Sequence, residues 1–253
     1  MAIVVNTNIP SQMAAHHMRT TRDGLETAME RLSSGRRINS ADDDAAGAGI
    51  AARLMGEKRA TDMAIRNASD VISMAQIGEA ATVEIENMIL RIKELAVQKA
   101  SNTYKASDQT LITAEITALG LEIDRIEADT KWNGTAIPAT VSSVISTAGG
   151  ATSIALDAIS VASPTNVTTA DAALTTIATI RGNFGAAINR MEYTINNLSN
   201  ISANISAAHS RIMDTDYAAE SAAVAKGQVL QQAGSAMLAQ ANASTQYVLQ
   251  LLQ

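Results

Sequence analysis

Four short stretches hold the residues whose types could carry chemistry: His16-His17, His209, the run Asp42-Asp43-Asp44, and Asn-x-Ser triplets at Asn197, Asn200 and Asn204. Paired histidines suggest a metal, but adjacent residues on a helix point in different directions. No carboxylate is placed to close such a site, so they read as exposed polar residues. His209 falls on an apolar stripe and reads as a hydrogen-bonded or partly exposed position within it. The three aspartates resemble a cation-binding run but lack the glycine and distal glutamate of a calcium loop. They fit a helix start. The Asn-x-Ser triplets lie on a helical pattern, as chance would place them in an Asn- and Ser-rich chain. The Ser/Thr-rich segment 140–169 is a better place for surface modification. HExxH, GxSxG and P-loop motifs are absent. These residues imply no enzyme, no cofactor and no metal.

Composition excludes more. There is no cysteine, so disulfides, Cys-ligated zinc and thiol catalysis are ruled out. A net charge of −6 with no basic run argues against nucleic acid as a partner. No run reaches the ~20 apolar residues of a membrane span. The N-terminus MAIVVNTNIPSQMAAHH lacks the charged and apolar regions of a secretory signal peptide, so export would need another route. Hydrophobic residues make up 47% and aromatics only 2%. That balance suits closely packed long helices better than an aromatic-lined pocket.

The elements behind these residues follow from apolar spacing of alternately three and four. One series runs Leu174, Ile177, Arg181, Phe184, Ile188, Met191, Ile195, Leu198, Ser202, Ile205, His209, Ile212. A second runs Val71, Met74, Gly78, Ala81, Ile85, Met88, Ile92, Leu95, and a third Ile112, Ile116, Leu119, Ile123, Ile126. Each is a coiled-coil seam that needs a partner helix. Weaker versions occupy the ends: Met18, Leu25 and Leu32 with Met29 between the last two, and Leu230, Met237 and Leu251 alternating with Gly234, Ala241 and Val248. These terminal helices would be marginal alone and ordered by assembly.

Punctuation divides the chain. Gly35 reads as a left-handed helix stop, and Ser40 as the next N-cap with acids in the first turn. Ser101-Asn102-Thr103 and Asp214-Thr215-Asp216 read as breaks. Between Trp132 and Asp171 helical periodicity fades. Val141 to Val161 is rich in β-branched residues and predicts a β-hairpin turning at Gly149-Gly150. The expected fold is mainly α: long antiparallel helices in a coiled-coil-like rod, a small β-hairpin, and paired N- and C-terminal helices. The expected division is 1–40 with 214–253 as one discontinuous unit, and 41–213 as a helical rod with its hairpin region at about 133–170.

Several long stretches then resemble bacterial flagellins. They are Arg31-Leu-Ser-Ser-Gly-Arg-Arg-Ile-Asn-Ser-Ala-Asp-Asp-Asp-Ala-Ala-Gly, Lys93-Glu-Leu-Ala-Val-Gln, Ala114-Glu-Ile, Glu122-Ile-Asp-Arg-Ile and Trp132-Asn-Gly-Thr. Near the other end come Ser210-Arg-Ile-Met-Asp-Thr-Asp-Tyr-Ala and Val229-Leu-Gln-Gln-Ala-Gly-Ser-Ala-Met-Leu-Ala-Gln-Ala-Asn. The resemblance spans residues 1–135 and 170–253. It implies a short form without the large outer variable domains: a structural subunit that polymerises into the flagellar filament and gives motility. It further implies unfolded export through the flagellar type III apparatus and an extracellular location. The implied partners are other copies of the chain, hook-associated junction and cap proteins, and a cytoplasmic chaperone at 214–253. Toll-like receptor 5 is a further implied partner, through Arg91, Leu95 and Glu115. There Leu90 replaces the family's usual Gln and Lys93 an Arg, which loses the planar bidentate fork, so weak recognition is expected. Two other readings compete. A hook–filament junction adaptor would share the terminal helices, but the Val229–Asn242 run favours flagellin. An enzyme would need a central insert, which is too short here and holds no histidine.

Overall fold

The computed structural model describes residues 7–101, 103–137, 140–145 and 151–250. These form five helices, α1 (Ile9–Ser34), α2 (Ala45–Lys99), α3 (Ala106–Asp129), α4 (Val167–Met213) and α5 (Tyr217–Gln250), with β1 (Lys131–Trp132), β2 (Thr135–Ala136), β3 (Thr140–Val144) and β4 (Ala151–Ala155) between α3 and α4. The fold is mainly α, as the apolar spacing predicts, with two small antiparallel strand pairs where one hairpin is expected.

Local chemistry sets the helix ends. The Asn8 side chain accepts the Ser11 N–H, Pro10 lies in the first turn of α1, and Gly35 closes it at φ 70°. Ser40 is not the N-cap of α2. Asp43 accepts the Asn39 and Ser40 N–H groups, and α2 starts four residues later with Asp44 accepting the Gly47 N–H at 2.8 Å. The acidic run is spent on a turn and a cap, and those backbone donors hold the Asp43 carboxyl below its ordinary range. At α4, Asn166 accepts the Thr169 N–H while Thr169 accepts the Asn166 N–H, a reciprocal capping box. Asp216 caps α5 by accepting the Ala218 and Ala219 N–H groups.

The chain divides into two compact units, Met1–Met55 with Ile205–Gln253, and Gly56–Asn204. The boundaries of these units fall inside α2 and α4, whereas the expected division at 40/41 and 213/214 follows the turns between helices.

In the second unit, α2 runs antiparallel to α4: Asp62 meets Ser202, Gly78 meets Phe184, Glu86 pairs with Arg181, and Lys93 with Asp171. Arg91 of α2 meets Glu115 of α3 in the same antiparallel sense. β3 and β4 pair in register from Thr140↔Ala155 to Val144↔Ala151, which is the expected hairpin. Its expected turn at Gly149-Gly150 lies outside the described residues. A second hairpin joins β1 to β2 through Asn133 (φ 49°) and Gly134 (φ 80°), left-handed conformations that the Asn-Gly pair is suited to. Ile145, Ile154, Leu156 and Val161 lay this region onto the helical core.

Candidate assembly surfaces

The first unit is built around the α1–α5 pair. Two bulky α1 side chains sit over α5 glycines: a Cβ at Gly227 would be 3.2 Å from Leu25 Cδ1, and one at Gly234 would be 2.8 Å from Met18 Cγ. Glycine is what lets the helices approach so closely. Beyond these, Asn8 donates to the Ala241 carbonyl at 3.0 Å and Ser11 to Asn242 at 3.1 Å, while Arg31 pairs with Glu220 at 3.2 Å. Numbers rising on α1 meet numbers falling on α5, so the pair is antiparallel. At its end the connectors pair too: Arg37 N–H donates to the Met213 carbonyl and Thr215 N–H to the Gly35 carbonyl.

Met18, Leu25, Leu32 and Ala241 lie half-buried on this pair. Met29, Leu230 and Met237 do not line it. Met29 is 55% exposed and its neighbour Ala28 takes the buried position; Leu230 and Met237 are 46% and 63% exposed. The seam on α5 is instead its small-residue column, because a close approach favours Gly over Leu at the contact. The backbone at Val248 is helical, its side chain is outside the described residues, and so is Leu251. Ile9, Met13, Met29, Val229, Leu230 and Met237 thus form exposed apolar surface on the two helices.

In the second unit, Val71, Ile85, Ile92, Leu95, Ile112, Ile116, Phe184, Met191 and Leu198 are buried. Met74, Met88, Leu119, Ile188 and Ile195 are half-buried against the same core. Ile205, in the first unit, is half-buried. The fully buried partners of Val71, Ile85 and Phe184 are Ala75, Ile89 and Ala187 rather than Met74, Met88 and Ile188. A helix packed on two neighbours buries a wider stripe than a two-stranded seam. Arg181, an interruption of the series, is half-exposed and ion-paired with Glu86.

Arg91 and Glu115 are exposed and bound to each other at 3.1 Å, with Glu94 also on Arg91. Those carboxylates, Glu115 first, raise the Arg91 pKa. Leu95, expected beside them as a receptor contact, is only 2% exposed and belongs to the core. Leu90 is the exposed apolar residue of this stretch, and Lys93 is held by Asp171 at 2.6 Å. The residues that sequence spacing passed over are Gly227 and the pair Arg31–Glu220. A glycine opposite a bulky seam residue carries no apolar signal. Among the described residues, no group of three or more metal-ligating side chains forms and no helix is long and apolar enough to cross a membrane.

Long paired helices with exposed apolar faces define a structural protein built for side-by-side packing. Residues 5–143 match the bacterial flagellin N-terminal helical region, and residues 167–252 match the bacterial flagellin C-terminal helical region. A flagellin of Halalkalibacterium halodurans is 37% identical, the alignment covering 99% of this chain and 100% of that one. A flagellin of Bacillus subtilis is 34% identical over 98% and 99% of the two chains. The flagellar filament 33 kDa core protein of Treponema phagedenis is 33% identical over 99% and 100%. The crystal structure of Bacillus cereus flagellin is 28% identical with a TM-score of 0.46, over 57% of this chain and 94% of that one. The chain belongs to the bacterial flagellin family. It is a structural subunit of the flagellar filament and serves motility.

Proposed function

We propose that the α1–α5 pair is the inner assembly element of this subunit, comprising 1–40 and 214–253, and that 41–213 is the outer helical part. The observation that carries this reading is the exposed apolar surface of Ile9, Met13, Met29, Val229, Leu230 and Met237 on two helices that bury little between themselves. Exposed apolar surface of this kind marks a face that a neighbour covers. Neighbouring subunits cover it in a helical array, whose contacts are heterologous and non-closing. Before assembly the same segments stay unfolded, which suits threading through a type III export channel to the cell exterior. A chaperone at 214–253 would shield Leu230 and Met237 in the cytoplasm. Hook-associated junction and cap proteins would meet the same surfaces at the filament ends. The chain performs no chemistry of its own. Recognition by Toll-like receptor 5 through Arg91 and Glu115 is weak in this reading, because Leu90 and Lys93 depart from the family pattern and Leu95 is buried.

Deleting 214–253 tests the assembly reading. The truncated chain should keep strong helical circular dichroism and fail to polymerise. Filaments formed by the truncated chain would refute it.

A further inference from the structure

The α1–α5 seam has an ambiguity built into its spacing. Leu25 sits on Gly227 and Met18 on Gly234, two knobs and two gaps that are each seven residues apart. Moving α1 along by seven residues would place Leu32 on Gly227, Leu25 on Gly234 and Met18 beside Ala241. Each bulky residue would again meet a small one. Because the apolar contacts repeat with the same period on both helices, they do not by themselves choose between these two registers.

The polar contacts are not periodic: Asn8 and Ser11 bind Ala241 and Asn242 at one end, the connectors bind each other at the opposite end, and one ion pair lies between. Arg31 and Glu220 pair across the helices at 3.2 Å, with side chains 30% and 16% exposed. Arg31 Nε is buried without a partner of its own, so Glu220 is the group that offsets the desolvated guanidinium. Seven residues along, Glu220 would face the chain beyond α1, and Arg31 would be left at the level of Gly227 and Gln228, where no acid stands. We infer that the Arg31–Glu220 ion pair selects the register of the α1–α5 pair against a competitor displaced by one heptad. Breaking a partly buried pair leaves an unpaired charge, which costs much more than the pair itself contributes. That makes it suited to excluding a wrong register. A single polar contact setting the alignment of an otherwise repetitive seam is a known use of such groups. The pair is within one chain, and on the proposed function its register is set when assembly orders the two helices.

The chain contains no cysteine, so introduced pairs report on register without interference. Ala28 lies between Leu25 and Arg31 and faces the level of Val224 in the observed register, or Gln231 in the displaced one. The full-length pairs A28C/V224C and A28C/Q231C are oxidised in the polymerised state, and the intrachain cross-link is identified by peptide mass. With Arg31 and Glu220 intact, 28–224 should form and 28–231 should stay at background. In the E220A background the ratio of 28–231 to 28–224 should rise about tenfold or more, the scale expected for losing a partly buried charge partner. The charge swap R31E/E220R should return it toward the starting value. An unchanged ratio in E220A would overturn the inference. If E220A chains do not fold, the swap decides. Recovery of folding with the 28–224 link supports the register role, and failure to recover either overturns it.

Discussion

Phe184 places the end of its ring on Gly78: a Cβ at Gly78 would lie 2.6 Å from Phe184 Cζ and 3.0 Å from both Cε atoms. The ring is fully buried where α2 and α4 meet. G78A therefore sets two effects against each other. Alanine gains about 1 kcal/mol of helix propensity over glycine, while overpacking a dense core costs about 1–3 kcal/mol. The ring is rigid and fully buried and must shift as a unit, so overpacking wins and the urea midpoint should fall. F184A should cost about 3–5 kcal/mol by leaving a cavity. F184L combined with G78A should recover part of the G78A loss. Equilibrium urea unfolding followed by circular dichroism measures all three.

Two glycines on the terminal helices should behave oppositely. Gly24 has nothing within 4 Å of an added Cβ, so G24A should be neutral or stabilising by up to about 1 kcal/mol. Gly234 meets Met18, and G234V should separate α1 from α5 and slow or abolish filament formation. Sedimentation of polymer after seeding reads both. Normal polymerisation by G234V would remove Gly234 from the seam.

Glu127 gives a pH dependence of a particular sign. Its carboxylate accepts the Val161 N–H, and burial raises its pKa, with Asp124 adding to the rise. The folded state holds this proton more tightly than the unfolded one. Its contribution is therefore fully present below the unfolded value, near 4.5, and is lost as pH rises through the folded value. E127Q keeps an acceptor for Val161 but never ionises. At neutral pH it should match or exceed the parent in stability, and the difference should vanish below the unfolded value. Urea midpoints measured across this range provide the check; a neutral-pH loss in E127Q would contradict it.

Asp62 works in the other direction. It accepts a hydrogen bond from Ser202 at 2.9 Å and pairs with Lys58, and these contacts, Ser202 first, hold its pKa below the ordinary 3.8. Stability from this group is present above 3.8 and lost as pH falls through the lower folded value. S202A should raise the Asp62 midpoint toward 3.8, as read by carboxyl carbon NMR. An unmoved midpoint would mean that Lys58 alone sets it.

The Leu90–Glu94 stretch predicts an innate-receptor phenotype. A reporter assay for Toll-like receptor 5 should show weaker activation by this chain than by a typical agonist. L90Q/K93R should raise it by restoring a Gln and a bidentate Arg. R91A should lower it further by removing the partner of Glu115. Full potency of the unmodified chain would sink the reading.

Residue spacing was enough for the helical class, the breaks at Gly35 and Asp214–Asp216, and one buried column on each long helix. Val71, Gly78, Ile85 and Ile92 on α2, and Ile177, Phe184, Met191 and Leu198 on α4, are buried as their spacing predicts. The second column came from packing. Ala75, Thr82 and Ile89 are fully enclosed where Met74, Ala81 and Met88 are half-covered. Packing also decided that Gly227 and Gly234, not Leu230 and Met237, face α1. The reason is physical. Periodicity registers where apolar side chains recur, but closely approaching helices place their smallest residues at the contact and leave larger ones at the flank or in solvent. Which flank faces a partner depends on where the neighbouring helices lie, and that is a property of the packed whole.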